Sequence, residues 1–526
     1  MTSGKAIFKA TAVVSFFILL SRALGLARDV VIARQFGATF YNDAYVSALK
    51  VPTMIFTVVS GALVTATVPV FTEYASAGRR REAWRVFEAV AWAITLLYAA
   101  GALLGMAAAP LLVKLVVPGF AGEVASLTAD LARILLPVMV FTGLASLFSG
   151  LLNANQIFGL PAFSNSVNNL CIIAAAFFLG RTWGVYGLAA GTVAAAAAMA
   201  AVQLPALVKA GFSPRPVFDF RHPGTRKVFV LALPSAAGIA VNQLSVYVTG
   251  VLASWLPEGS ISALNYADRL VQFPVSLFVL ALGTAVFPAL SERAAAGDRG
   301  AFAATLDGSL KAVISLIVPV AAGAAVLHYP VVALIYRRGA FDERAVALTS
   351  TALLFYSLGL VGQAAGILLT RGFYSIQDTR TPVAVSLAVF VLNTALSLAL
   401  TGPLKHAGLA LASALSSLAY MALLYRLLSR RVPELAGRGT ASFAARVTAA
   451  SLLMALSVWA LDTRLAAVLG GATAAALAVR LCAAVLLGIL VYGAAAVLWV
   501  REIRALARRA GSELARRAGR ALGRCI

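Results

Sequence analysis

The chain has 526 residues, of which 61% are hydrophobic and 12% charged, and its formal net charge is +23. That charged fraction is about half the norm for soluble proteins, and apolar runs of about 20 residues, each able to cross roughly 30 Å of hydrocarbon, recur from end to end. A soluble enzyme is excluded, and so is a β-barrel, which would show short alternating segments; the composition implies an all-α integral membrane protein.

In chain order the apolar segments fall at about 8–34, 42–74, 84–110, 126–153, 161–180, 184–209, 228–256, 263–291, 306–335, 345–375, 382–402, 406–429, 442–461 and 473–500, which predicts fourteen transmembrane helices. The first follows Lys5 and Lys9 in the manner of a signal peptide. No small-residue cleavage site follows it, and it is read as a retained helix. An even number of spans puts both termini on one side. One set of loops holds Arg79, Arg80, Arg81 and Arg85, then Lys209, Arg215, Arg221, Arg226 and Lys227, then Arg293 and Arg299, then Arg430, Arg431 and Arg438. The other set is poor in cations except for "YRRGAFDER", which also carries two acids. Both termini are therefore expected in the cytoplasm. This distribution accounts for the positive charge without a nucleic-acid partner. Residues 501–526 form a basic cytoplasmic tail, solvated or lying on anionic headgroups.

Cys171, Cys482 and Cys525, and His222, His328 and His406, are scattered without metal-ligand spacing. No phosphate-binding Gly-Lys-Ser/Thr loop or nucleophile elbow occurs. The sequence implies no metal and no cofactor, and a transporter rather than an enzyme.

The chain repeats itself. "LKVPTMIFTVVSGA" at 49–62 echoes "VQFPVSLFVLALGT" at 271–284, "FTEYASAGRR" at 71–80 echoes "LSERAAAGDR" at 290–299, and Pro161 matches Pro382. The offset stays within 219–222. Residues 1–210 and 211–435 are expected to form two six-helix lobes related by a pseudo-two-fold axis along the membrane normal, around a central cavity that opens alternately to each side. Residues 436–500 hold two helices outside the repeat.

Ionisable residues inside a span mark function by default, since each costs between about 2.5 and well over 10 kcal/mol at the bilayer centre. "SRALGLARDVVIARQFG" at 21–37 places Arg22, Arg28 and Asp29 in the first span, with Arg34 at the interface. Arg22 and Asp29 share a helical face; Arg28 lies about 120° away, and a bend at Gly25 would bring both arginines toward one cavity. Asp43 and Lys50 share a face of the second span, where Asp43 is also placed to cap a helix. Asp268 and Arg269 open the eighth. Arg371, Asp378 and Arg380 lie near a cytoplasmic end, where capping and snorkelling also explain them. Arginine suits a phosphate-bearing ligand, because its fork donates in parallel and keeps its charge.

"SRALGLARDVVIARQFGA…DAY…LKVP", "NYADRLVQFP", "GFYSIQDTRTP" and "GPLKHAGLALA" together resemble signatures of the MurJ (MviN) family of lipid II flippases, within the MOP exporter superfamily. The resemblance implies a substrate, lipid II, that is an undecaprenyl-diphosphate-linked disaccharide-pentapeptide. It assigns substrate contacts to Arg22, Arg28, Asp29, Asp43 and Arg269, and Lys50, on the same helical face as Asp43, is expected to join them. It implies a lipid-tail groove along the last two helices, residence in the cytoplasmic membrane among its lipids, and association with cell-wall synthesis or division proteins. It further implies coupling to membrane potential, Na+ or H+, with Asp378 and Thr394 near a cation site. One departure is that Phe56 and Thr57 stand where relatives carry a basic pair, and Ser60 replaces a glutamate. The alternatives are export of another anionic polyprenyl-diphosphate-linked glycan, small-molecule antiport, or a non-transporting scaffold that binds the precursor.

Overall fold

The computed structural model describes residues 2–469 and 473–504, and every regular element among them is helical. The basic tail beyond residue 504 lies outside the described residues. The first three predicted segments lie on α1 (Thr2–Phe36), α2 (Phe40–Ser76) and α3 (Arg80–Ala107), and a short α4 (Ala109–Val116) follows. The fourth lies on α5 (Gly122–Leu135) and α6 (Val138–Ala154), bent by 42°. Pro137 stands at that break, where it cannot donate a helical hydrogen bond. The fifth and sixth share α7 (Gly159–Ala201), followed by α8 (Leu204–Ala210). The seventh is α9 (Pro223–Ser254). The eighth is divided among α10 (Ser260–Pro274), a π-helical turn at Val275–Val279 and α11 (Leu280–Ala295). The ninth lies on α12 (Arg299–Val326) and α13 (His328–Tyr336), and the tenth on α14 (Glu343–Ser375). Then come α15 (Arg380–Leu404), α16 (His406–Arg431), a 3-10 turn at Pro433–Arg438, α17 (Thr440–Leu469) and α18 (Ala474–Trp499).

Among the described residues nine helices are long and apolar enough to cross a membrane, or ten with α5 and α6 as one bent span. The expected fourteen is not reached by that criterion. It counts α7 once although Gly184 breaks it, and it passes over the divided eighth segment.

The duplication is written in the backbone. Gly184 has φ 57 and ψ −140, and Lys405 has φ 52 and ψ −130, each at the corner where two apolar segments fold back on each other. Three residues on, a Cβ on Gly187 would sit 2.3 Å from the Leu179 carbonyl oxygen, and one on Gly408 would sit 2.3 Å from that of Leu400. All three pairs of positions are 221 residues apart, as are Gln156 and Gln377, two further residues of positive φ. A corner this tight therefore needs glycine at its close approach in both copies. It tolerates lysine at its strained residue in only one.

By packing, the chain forms two compact units. Unit 1 comprises the chain up to Tyr266 together with Tyr336–Ala345; unit 2 comprises Ala267–Ile335 and the chain from Val346 onward. In unit 1, α1 packs along α7 and α2 along α9. Its core gathers Phe71, Trp84, Phe87, Phe148 and Phe212, whose rings meet edge-on or tilted. In unit 2, α12 packs along α17, and α17 pairs with α18. Those last two helices hold an ion pair that their low charge content conceals: Arg480 Nε and Nη2 donate to the two oxygens of Asp462 at 3.0 and 2.9 Å. Two nitrogens on two oxygens is the geometry that offsets the cost of burying both charges.

The segment 336–345 explains the loop that breaks the positive-inside pattern. It is docked in unit 1, where the Ala340 N–H donates to the Arg34 carbonyl at the end of α1 (2.8 Å). Arg344 donates to the Glu258 carbonyl (3.1 Å), and Phe341 is fully buried against Tyr266 and Tyr336.

Positive φ outside the αL well strains a residue that carries a Cβ. Lys405→Gly should therefore stabilise the protein by about 1 kcal/mol, read as a higher unfolding temperature of the detergent-purified protein. An unchanged or lower temperature would contradict the strained corner.

Candidate functional site

The charged stretch of α1 is built around Arg28. Neighbouring residues on a helix point about 100° apart, yet the long Arg28 side chain wraps back so that Nε and Nη2 both donate to Asp29 Oδ1, at 3.0 and 2.8 Å. Nη1 donates to Asn169 Oδ1 on α7, at 3.1 Å. The Asn169 amide in turn donates to the Ser21 carbonyl, one turn before Gly25, at 3.1 Å. A Cβ on Gly25 would lie 3.7 Å from that amide nitrogen. That is an ordinary contact distance, so the approach of α7 does not depend on glycine here, and α1 runs as one continuous helix through Gly25. The Arg28 and Asp29 side chains retain 18% and 12% exposure. Arg22 is exposed and, among the described residues, makes no hydrogen bond or ion pair.

Asp43 serves a different end. It lies in the first turn of α2 and accepts from the N–H groups of Gly259 and Ser262, each at 2.7 Å, and from the Ser262 hydroxyl. Its carboxylate thereby caps α10, the helix of another loop, rather than its own. Asn42 beside it donates to Ser262 Oγ and Tyr266 Oη at 2.9 and 3.1 Å. Lys50, two turns further along α2, rests its ammonium against Gly250 of α9.

The departure at residues 56–60 has a structural counterpart. Ser60 is buried and its hydroxyl shares a 2.7 Å hydrogen bond with Tyr98, which also donates to the Phe56 carbonyl. Phe56 packs on the aromatic core, and Thr57 turns back to the Thr53 carbonyl. Hydroxyl pairing and apolar packing occupy these positions.

Arg269 is exposed and lies in unit 2 with Asp268, whose carboxylate accepts from Gln272 at 3.5 Å. Asp378 precedes α15, accepts from the Thr381 N–H at 3.0 Å, and forms an ion pair with Arg431. Burial pushes the Asp378 carboxyl up; the Thr381 hydrogen bonds and the Arg431 guanidinium outweigh it and hold the group below the usual carboxylate range. Thr394 lies sixteen residues further on, fourteen of them within α15 and spanning about 21 Å of its axis, and donates to the Phe390 carbonyl. The structure does not bring these two residues to one cation. Among the described residues no cluster of three or more His, Cys, Asp or Glu could hold a metal ion.

Sequence reasoning passed over Asn169. Its signal was present: Asn168 and Asn169, after Ser164, Asn165 and Ser166, extend a polar stretch inside the fifth apolar segment. Removing the Asp43 carboxylate would leave two N–H groups and a hydroxyl unanswered in a buried setting. Asp43→Ala is expected to cost about 3 kcal/mol, measured as a drop in unfolding temperature in detergent; an unchanged temperature would show that the cap carries no stability.

The family model described as "Lipid II flippase MurJ" matches residues 32–498, a span that takes in Asp43, Lys50, Arg269, Asp378 and Thr394 and begins just after Arg28. The chain is 33% identical to the lipid II flippase MurJ of Burkholderia cenocepacia over 462 residues, covering 85% of this chain and 89% of that one. It is also 33% identical to the probable lipid II flippase MurJ of Vibrio cholerae, covering 88% and 91%. Among solved structures it is similar to a lipid II flippase MurJ in an inward-closed conformation, with a TM-score of 0.78, 25% identity, and coverage of 93% and 99%. It shares its fold, at 14% identity and a TM-score of 0.68, with an inward-facing MATE-family multidrug transporter of the MOP superfamily. With a family match across most of its length, and relatives at one-third identity covered almost end to end, this chain is a multi-pass membrane protein of the lipid II flippase MurJ family.

Proposed function

We infer that this chain flips lipid II across the membrane, acting as a transporter and not as an enzyme. The carrying observation is the family match over residues 32–498, supported by the fold shared with a solved MurJ. Charge-assisted hydrogen bonds from arginine are well suited to replace the water around the substrate's diphosphate. Arg28 supplies a guanidinium already oriented by Asp29 and Asn169. Arg22 adds a cation six residues earlier, about 9 Å along the same helix. Lys50 contributes charge from α2. With Ser60 paired to Tyr98 and no basic pair at 56–57, the arginines of α1 carry more of the grip than in relatives that keep those charges.

The polyprenyl tail is proposed to run along α17 and α18, which expose Leu452, Leu456, Trp459, Leu486 and Leu490. The positive-inside pattern supports a cytoplasmic-membrane location with both termini in the cytoplasm. Transport by alternating access follows from the repeat architecture.

The test is translocation of the lipid II headgroup in vesicles containing the purified full-length protein, run beside a diphosphate lipid with an unrelated glycan. Lipid II should be the faster substrate. Arg28→Ala and Arg22→Ala should each slow its translocation by tenfold or more. Full rate with both arginines removed would overturn the site, and equal rates for the two lipids would overturn the substrate.

A further inference from the structure

Two neighbours, one on each side, hold the guanidinium of Arg28. An arginine has five N–H donors in a fixed plane. Asp29 Oδ1 takes the one on Nε and one on Nη2, and Asn169 Oδ1 takes one on Nη1. By donor count one N–H remains on each terminal nitrogen beyond these three bonds, enough to donate to two oxygens of one phosphate. Asn169 is itself buried, at 7% exposure, and is fixed by donating to the Ser21 carbonyl of α1. A carboxylate at position 169 would answer Arg28 with a second negative charge. The neutral amide holds the plane and leaves the cation's charge to a ligand.

We propose that Asn169 is a positioning residue for substrate recognition: with Asp29 it brackets Arg28 so that the end of the guanidinium, one N–H on each Nη, meets the diphosphate. The proposal rests on the reading of Arg28 as a diphosphate contact. It assigns Asn169 a role in affinity separate from its packing between α1 and α7. A residue that only joined two helices would change stability to the same extent whatever stood at position 28.

The experiment is a double-mutant cycle on the full-length protein in nanodiscs, reading lipid II dissociation constants and unfolding temperatures for wild type, Asn169→Leu, Arg28→Lys and the double variant. Asn169→Leu should weaken lipid II binding by five- to tenfold. Arg28→Lys, which keeps the charge and loses the fork, should weaken it at least as much. The double variant should be no weaker than Arg28→Lys alone, since without the fork there is nothing left to orient. Asn169→Asp, which keeps the acceptor oxygen and is close in volume, should also weaken binding, by neutralising Arg28; it stands in if the leucine variant fails to fold. Weakened binding in Arg28→Lys, with Asn169→Leu and Asn169→Asp at wild-type affinity or with strictly multiplicative losses in the double variant, would overturn the role of Asn169 and leave the Arg28 reading intact. Wild-type affinity in Arg28→Lys would instead overturn that reading.

Discussion

A charge placed in a membrane span has to be answered, because the surroundings cannot solvate it. That constraint organises this protein. Arg28 is answered by Asp29 and Asn169. Arg480 is answered by Asp462. Asp43 is answered by the first N–H groups of α10. Each answer costs the chain a geometric commitment: Asn169 must reach α1 from α7, and α10 must begin within reach of α2. The fold is in part a consequence of supplying those partners.

The same rule separates structural charges from those available to a ligand. Asp43 has its acceptors filled by three donors, and Arg480 meets its acid with two nitrogens. Arg28 is held but keeps two donors open, and Arg22 is exposed. A transporter of an anion needs this intermediate condition. A fully satisfied arginine has nothing to offer a diphosphate, while a loose one spends binding energy on its own ordering. Neutral Asn169 and the hydroxyl pair of Ser60 with Tyr98 add no further acid beside the charges of α1 and α2.

Much of the architecture was legible in the sequence, because membrane thickness imposes a length on every apolar run. The predicted boundary between residues 180 and 184 fell at the Gly184 corner, and the 221-residue offset reappeared in backbone angles at Gly184 and Lys405. What pattern reading could not supply was partnership. It placed Arg22 with Asp29 by helical phase, whereas Arg28 reaches back to its own neighbour, since a six-bond side chain is not bound by the direction of its Cβ. It weighed Asp43 as a cap without the means to see that the capped helix begins more than two hundred residues away. It joined Asp378 to Thr394 by family likeness, although about 21 Å of α15 lies between them. Asn169 was visible only as one of several polar residues at 164–169, and nothing in the sequence singled it out until its contact with Arg28 was in place.

The central claim is that Arg28, oriented by Asp29 and Asn169, grips the diphosphate of lipid II. The most direct measurement is a structure of the full-length protein in a lipid nanodisc with lipid II bound. The account predicts phosphate oxygens within hydrogen-bond distance of both Arg28 Nη1 and Nη2, with the Asp29 and Asn169 contacts retained. A bound diphosphate that lies away from α1, with Arg28 facing only Asp29 and Asn169, would contradict it.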